Sequence, residues 1–249
     1  MPRPAPPPQS HPFARAFVPS LFWLGWICLA VCRPAALQEQ AVRAPRIHLM
    51  APSGWPKDLD RYDLGLARLR EAGFQLRNEA CGYRRQSRYA GTEAERLADL
   101  NALCDPAVPM PELILLPRGG YGAVQLLDRI DYARLCPRLR EAGTVMVGYS
   151  DFTALQMALL ARGGVTTFSG PMVCTDFGAP EPDPGMLASF RSALTAPVIE
   201  VKVERPQRCA LAREGRFWGG NLCTLAGLAG TPYLPRIKLT FRTSAGRFP

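Results

Sequence analysis

No Cys-x-x-Cys pair occurs in the 249 residues, although the chain holds eight cysteines. Zinc ribbons and thioredoxin-type redox sites need that spacing, so both lose their key element. Cys28, Cys32, Cys81, Cys104, Cys136, Cys174, Cys209 and Cys223 are irregularly spaced. In a chain of this length, that scatter predicts small buried apolar residues rather than a disulfide framework. Histidine is scarce, with His11 in a Pro-rich start and His48 in an apolar segment. No Gly-x-Gly-x-x-Gly is complete after a strand, because Gln125 stands where the last glycine belongs, and the dinucleotide fingerprint fails. The apolar run from Phe17 to Cys32 is interrupted by Pro19 and is short for a membrane span of about 20 residues.

Charge of one sign is abundant, but only at the ends. The formal net charge is +9. Residues 1–46 hold five Arg and one Glu, and residues 236–249 hold four basic side chains and no acid. The 189 residues between carry 21 basic and 20 acidic side chains. A nucleic-acid surface needs its basicity on one face of the folded body, with aromatics interleaved for stacking. Neither pattern is present, and no nucleic-acid partner is expected.

What is present is an ordinary globular composition, 47% hydrophobic and 20% charged, enough for a sizeable core. Residues 1–45 form an extension. Its apolar run, with Arg3 and Arg15 ahead of it, reads either as an export signal or as a misassigned start. Membrane association is expected only if residues 17–32 are a true signal or anchor.

From Arg46 onward, strand and helix patterns alternate. Arg46–Ala51 is a short apolar strand ended by the turn Pro52-Ser53-Gly54. Leu59, Tyr62, Leu66 and Leu69 recur at helical spacing, and Gly73 closes that helix. A second strand is expected at Phe74–Leu76. Thr92 and Glu95 fit a capping box ahead of the stripe Leu97, Leu100 and Leu103. Glu112–Leu116, Thr144–Val147 and Val165–Phe168 predict further strands, with helices over Val124–Ile130 and Asp151–Arg162.

The pattern predicts an α/β fold with a mainly parallel sheet and helices on both faces, occupying residues 46–177. Residues 178–185 (GAPEPDPG) read as a linker. Residues 186–249 then form part of a smaller C-terminal domain. In it, Met186–Leu194 and Leu222–Leu228 look helical, Val198–Val203 alternates like a strand, and the tail from about residue 236 lacks pattern.

Ligands of parallel sheets sit beyond the carboxyl ends of the strands. Two loops stand there. Ser150, in Gly148-Tyr149-Ser150-Asp151, comes directly after a strand and before a helix. This is the setting of a nucleophile elbow, with helix N–H groups and the positive dipole end facing the reacting oxygen. Phe152 replaces the last glycine of Gly-x-Ser-x-Gly, and a plain helix N-cap fits the same position. The second loop, Arg118-Gly119-Gly120-Tyr121-Gly122, allows positive φ and an anion-binding nest, or simply a tight turn.

Four blocks in order, RGGYG (118–122), GYSDFTAL (148–155), FSGPM (168–172) and GGNLCTLAGLAGTPY (219–233), with the opening IHLMAPSG (47–54), make the chain resemble the LD-carboxypeptidase family of serine peptidases. The resemblance covers about residues 46–235. It implies a serine hydrolase that cleaves the amide between an L-centred residue and a terminal D-amino acid, such as D-alanine of a murein tetrapeptide in cell-wall recycling. A branch of the family instead cleaves peptidyl-adenylates of the microcin C type.

The resemblance implies Ser150 as nucleophile, the backbone of Asp151 and Gly120 as oxyanion donors, and Arg118, Gly119 and Tyr121 as substrate contacts. It also implies no metal or other cofactor, a peptidoglycan-derived peptide as partner, a homodimer and a cytoplasmic location; a genuine signal would mean export. The family triad is Ser-Glu-His, with Glu and His after the GTPY block. The sixteen residues after Tyr233 contain neither. The expectation is therefore a chain truncated or frame-shifted near Leu234–Arg236, an inactive remnant if nothing completes it. His48 is expected to be a strand residue rather than a displaced base, and Glu214 is a weak pocket candidate.

Overall fold

The structure, a computed structural model, describes residues 44–195 and 218–236. The extension 1–43, the strand expected at Val198–Val203, Glu214 and the tail after Arg236 lie outside the described residues.

Five strands form one all-parallel sheet: β1 (Arg46–Leu49), β2 (Gln75–Arg77), β3 (Leu113–Leu115), β4 (Val145–Gly148) and β5 (Phe168–Ser169), in the order β2-β1-β3-β4-β5. The register sets His48 beside Ile114 and Ile114 beside Met146. Alternation along the strands sends side chains to two cores. Ile114, Leu116 and Met146 face one side, while Ile47, Leu49, Leu113, Leu115, Val145 and Val147 face the other. Both sets are buried because helices cover both faces, as strands of this apolar kind require.

On the first face lie α2 (Glu93–Asn101), α3 (Tyr132–Glu141), α4 (Thr153–Gly163) and α6 (Leu222–Gly227). On the second lie α1 (Leu59–Glu71) and α5 (Pro184–Thr195). In α1, Tyr62, Leu66 and Leu69 are almost fully buried, whereas Leu59, the first residue of the predicted stripe, is 43% exposed. Asp58 caps α1 by accepting from the Arg61 N–H. The capping box of α2 is present in full. The Glu95 N–H donates to Thr92 Oγ1, and the Thr92 N–H donates to Glu95 Oε2. Together such bonds contribute about 1 kcal/mol.

Two elements depart from the sequence expectation. The segment Ala123–Arg129 is a 3-10 helix, not an α-helix, because its entrance is held from outside: the Ala123 N–H is taken by Asp151 and the Gly122 carbonyl by Arg96. Helix α3 was not signalled by periodicity, since Pro137 lies inside it and removes a ladder donor. Asp131 caps it, and burial of Leu135, Cys136 and Leu139 holds it on the sheet.

The stretch expected as a linker is pinned. The Arg68 guanidinium donates to the carbonyls of Phe177, Ala179 and Pro180. Helix α5 begins within the stretch and lays Phe190 against Phe177, with ring centroids 5.2 Å apart. Cys81, Cys136 and Cys174 are buried, Cys104 is half-buried and Cys223 is exposed; all five are free thiols.

Candidate active site

Strand β4 ends at Gly148 and the chain turns sharply at Ser150, whose φ is +65°. A non-glycine residue in this left-handed region costs on the order of 1–2 kcal/mol. The turn is imposed by the exit from a buried strand straight into a 3-10 segment, Ser150–Phe152, that runs on into α4. Phe152 is fully buried and Ala154 and Leu155 pack in the first core, so the helix start cannot move to relieve the strain. The Phe152 N–H bonds back to the Tyr149 carbonyl at 3.4 Å and the Thr153 N–H to the Ser150 carbonyl, so the helical segment begins at the elbow itself.

The RGGYG loop lies directly against this elbow. A Cβ on Gly119 would stand 2.8 Å from Ser150 Cβ and 3.0 Å from Ser150 Oγ, so only hydrogen fits there. Gly120 and Gly122 have φ of +128° and +121°, values that favour glycine. The loop is also tied to the β1–α1 turn, with the Gly54 N–H donating to the Gly119 carbonyl at 3.2 Å. The Arg118 guanidinium donates to the Trp55 carbonyl at 3.2 Å and has no acid partner among the described residues. Tyr121 is 55% exposed, its ring 6.5 Å from that of Tyr89.

The Asp151 side chain has partners of its own. Its buried carboxylate oxygen Oδ2 accepts from the Ser53 hydroxyl at 2.7 Å and from the Ala123 N–H at 2.9 Å. Beneath it, the Arg96 guanidinium, almost fully buried, donates to the carbonyls of Pro52 and Gly122 and to Gln125 Oε1. Burial lowers the pKa of Arg96 from its ordinary value, against the nearby charge of Glu93.

The other two sequence blocks converge here. After β5, the Tyr149 hydroxyl donates to Thr175 Oγ1, and Thr175 to Asp176 Oδ2. Burial pushes the Asp176 carboxyl up against the opposing hydrogen bond from the Met172 N–H. From the last block, the Asn221 N–H donates to Thr153 Oγ1 at 2.9 Å, and Gly220 is packed so closely on Thr153 that a Cβ would stand 2.4 Å from that oxygen. Helix α6 thus starts beside the first residue of α4, three positions after Ser150.

His48 stands elsewhere. It shares a row with Ile114 and Met146, two strands from β4 and four residues before Ser150 in that frame. At about 3.3 Å of rise per residue and about 4.8 Å between strands, that separates it from the elbow by well over 10 Å. Its Nε2 is 3.0 Å from the Asp99 carbonyl, and burial lowers its pKa. Among the described residues, no group of three or more His, Cys, Asp or Glu side chains is placed to hold a metal ion. No helix among them is long and apolar enough to cross a membrane.

The site therefore brings together the predicted residues Ser150, Asp151, Gly119 and Gly120, with Arg118 and Tyr121 on the same loop. Sequence reasoning missed Ser53, Arg96 and Thr153. Ser53 lies in the IHLMAPSG block and in the turn after β1, and Thr153 in the GYSDFTAL block, but neither pattern assigns them a role.

Comparison with known proteins agrees with this architecture. Residues 47–170 match the family described as the LD-carboxypeptidase N-terminal domain. The chain is 30% identical over 205 residues to a probable murein peptide carboxypeptidase of Bacillus subtilis, covering 81% of this chain and 60% of that protein. It is 29% identical over 209 residues to the microcin C7 self-immunity protein of Escherichia coli, covering 72% and 58%. The crystal structure of muramoyltetrapeptide carboxypeptidase from Oxalobacter formigenes superposes with a TM-score of 0.67 at 34% identity, covering 77% of this chain and 62% of that one. The chain spans about three fifths of the length of the first curated relatives it matches. With the parallel sheet, the elbow at Ser150 and the glycine loop against it, residues 47–170 belong to the LD-carboxypeptidase family as its N-terminal domain.

Proposed function

We propose that this protein is a serine carboxypeptidase whose nucleophile is Ser150, releasing a terminal D-amino acid such as D-alanine from a murein-derived tetrapeptide. The observation that carries the reading is the strained Ser150 elbow, φ +65°, with Gly119 packed on its side chain at the carboxyl end of a parallel strand.

In this reading Ser150 Oγ attacks the carbonyl carbon of the last peptide bond. The bond from that carbon to nitrogen then breaks, and the amine of the D-residue leaves with the proton that Ser150 gave up. Water hydrolyses the resulting ester and regenerates the hydroxyl. The oxyanion formed in each half-reaction is held by the N–H groups of Asp151 and Gly120. Donors aimed at such an oxygen are worth about 10²–10³ in rate each. Arg118, with no acid of its own, takes the terminal carboxylate, and Gly119 and Tyr121 border the bound peptide. The proton acceptor is assigned by family resemblance to a Glu–His pair after the GTPY block. The described residues do not supply it.

The test is release of D-alanine from a murein tetrapeptide by the purified protein, extended by a segment that carries the family's Glu–His pair, and by its Ser150→Ala variant. A loss of about 10³-fold or more in the variant is expected. Equal release by both, or no release by the parent protein, sinks the reading. Similarity to the microcin C7 self-immunity protein favours peptidyl-adenylate cleavage as the second reading. Turnover of the two substrate types side by side separates them. A place in cytoplasmic peptidoglycan recycling follows from the first reading.

A further inference from the structure

The three loops around Ser150 form one closed hydrogen-bonded ring. From Asp151 Oδ2 it runs to the Ser53 hydroxyl at 2.7 Å, and along the chain to Gly54. The Gly54 N–H donates to the Gly119 carbonyl at 3.2 Å. Four residues later, the Ala123 N–H returns to Asp151 Oδ2 at 2.9 Å. Gly119, on this ring, is the residue that touches Ser150, and Gly120 is next to it. One carboxylate oxygen thus ties the RGGYG loop to the residue that follows Ser150.

We infer that Ser53 is a positioning residue, and that its hydroxyl closes this ring and so sets the spacing between the two loops that carry the oxyanion donors. The inference rests on the reading of Ser150 as nucleophile for its catalytic consequence, but the ring itself does not. Ser53 is fully buried and Asp151 is 8% exposed, so water cannot substitute freely for either partner. Two of the three hydrogen bonds of the ring are donated by backbone N–H groups, those of Gly54 and Ala123, and the carboxylate belongs to Asp151, which follows the nucleophile directly. Ser53 is the member that a side-chain change can open without touching the elbow or the glycine loop. The buried Arg96 braces the same two loops from below through Pro52 and Gly122. With Arg96 in place the fold is expected to survive when Ser53 is altered, while the spacing is expected to change. Displacements on the order of 1 Å in such sites cost about 10²-fold in rate.

The experiment compares the parent protein with Ser53→Ala and Ser53→Cys, the thiol being a similar-sized but weaker donor. Two readouts are taken. The first is amide hydrogen exchange at Gly54 and Ala123, resolved by NMR. The second is kcat and KM for D-alanine release, well below the melting temperature. Expected for Ser53→Ala are faster exchange at both amides and a fall in kcat of about 10–100-fold with KM within about twofold. Ser53→Cys falls between the alanine variant and the parent.

Unchanged exchange at Gly54 and Ala123 overturns the ring. Faster exchange with unchanged kcat overturns the positioning role and leaves Ser53 a structural residue. Absence of turnover in the parent protein sinks the proposed function instead, and the ring is then decided by the exchange data alone.

Discussion

The Cα of Gly119 faces Ser150 so closely that the smallest side chain would overlap it, with 2.8 Å between a Cβ at 119 and Ser150 Cβ. The contact is between a loop and an elbow that are each fixed by other bonds. Neither partner is the free end of a flexible side chain, so the overlap cannot be relieved by a rotamer change.

Gly119→Ala is therefore expected to push the loop away from the elbow. Overpacking of this kind costs about 1–3 kcal/mol, and D-alanine release is expected to fall by at least about tenfold. Chemical denaturation and steady-state kinetics check the two effects. Parent-like turnover in the alanine variant would show that the contact is not needed.

Ser150→Gly separates strain from chemistry. Glycine adopts φ +65° without the Cβ penalty, so stability is expected to hold or rise by up to about 1 kcal/mol. Turnover is expected to disappear. A marked loss of stability would mean that the serine hydroxyl contributes to the fold as a cap.

Arg96→Met removes a buried cation that braces two loops. Its guanidinium serves the carbonyls of Pro52 and Gly122 and the Gln125 side chain, and lies 4.6 Å from the Tyr89 ring centroid. Left without donors, the buried carbonyls cost about 1–3 kcal/mol. A decrease in unfolding free energy of that size is expected from urea titration, together with faster amide exchange in residues 118–123.

His48 makes stability depend on pH with a definite sign. Burial lowers its pKa, against the raising influence of the Asp99 carbonyl and carboxylate and with a further lowering from Arg77. The folded chain thus favours the neutral ring. The contribution is complete above the unfolded value of about 6.5. It is lost as pH falls below 6.5 toward the lower folded value, because the unfolded chain binds the proton first. Melting curves at pH 7.5 and 5.5 are expected to differ more for the parent than for His48→Gln. Equal differences would contradict the burial argument.

Much of the fold was legible from local pattern. The five strands appear in the predicted order along the chain, with boundaries shifted by at most three residues. The capping box at Thr92 and Glu95 is present as read, because its partners are three residues apart. Helix α3 was not legible, since Pro137 interrupts the pattern and burial against the sheet decides the outcome. The turn at 123–129 became 3-10 because its entrance is held by Asp151 and Arg96, which lie far from it in sequence.

By itself the sequence determined the alternation of strands and helices and placed Ser150 and the RGGYG loop at strand ends, because hydrophobic period and glycine position act locally. Only the tertiary structure decided that the two loops meet, that Gly119 touches Ser150, and that Ser53 and Arg96 brace them. The Ser53–Asp151 bond joins residues 98 positions apart. Nothing in the local chemistry of either residue specifies the other. The parallel sheet brings the ends of β1, β3 and β4 side by side, and burial then requires the polar groups held there to find each other.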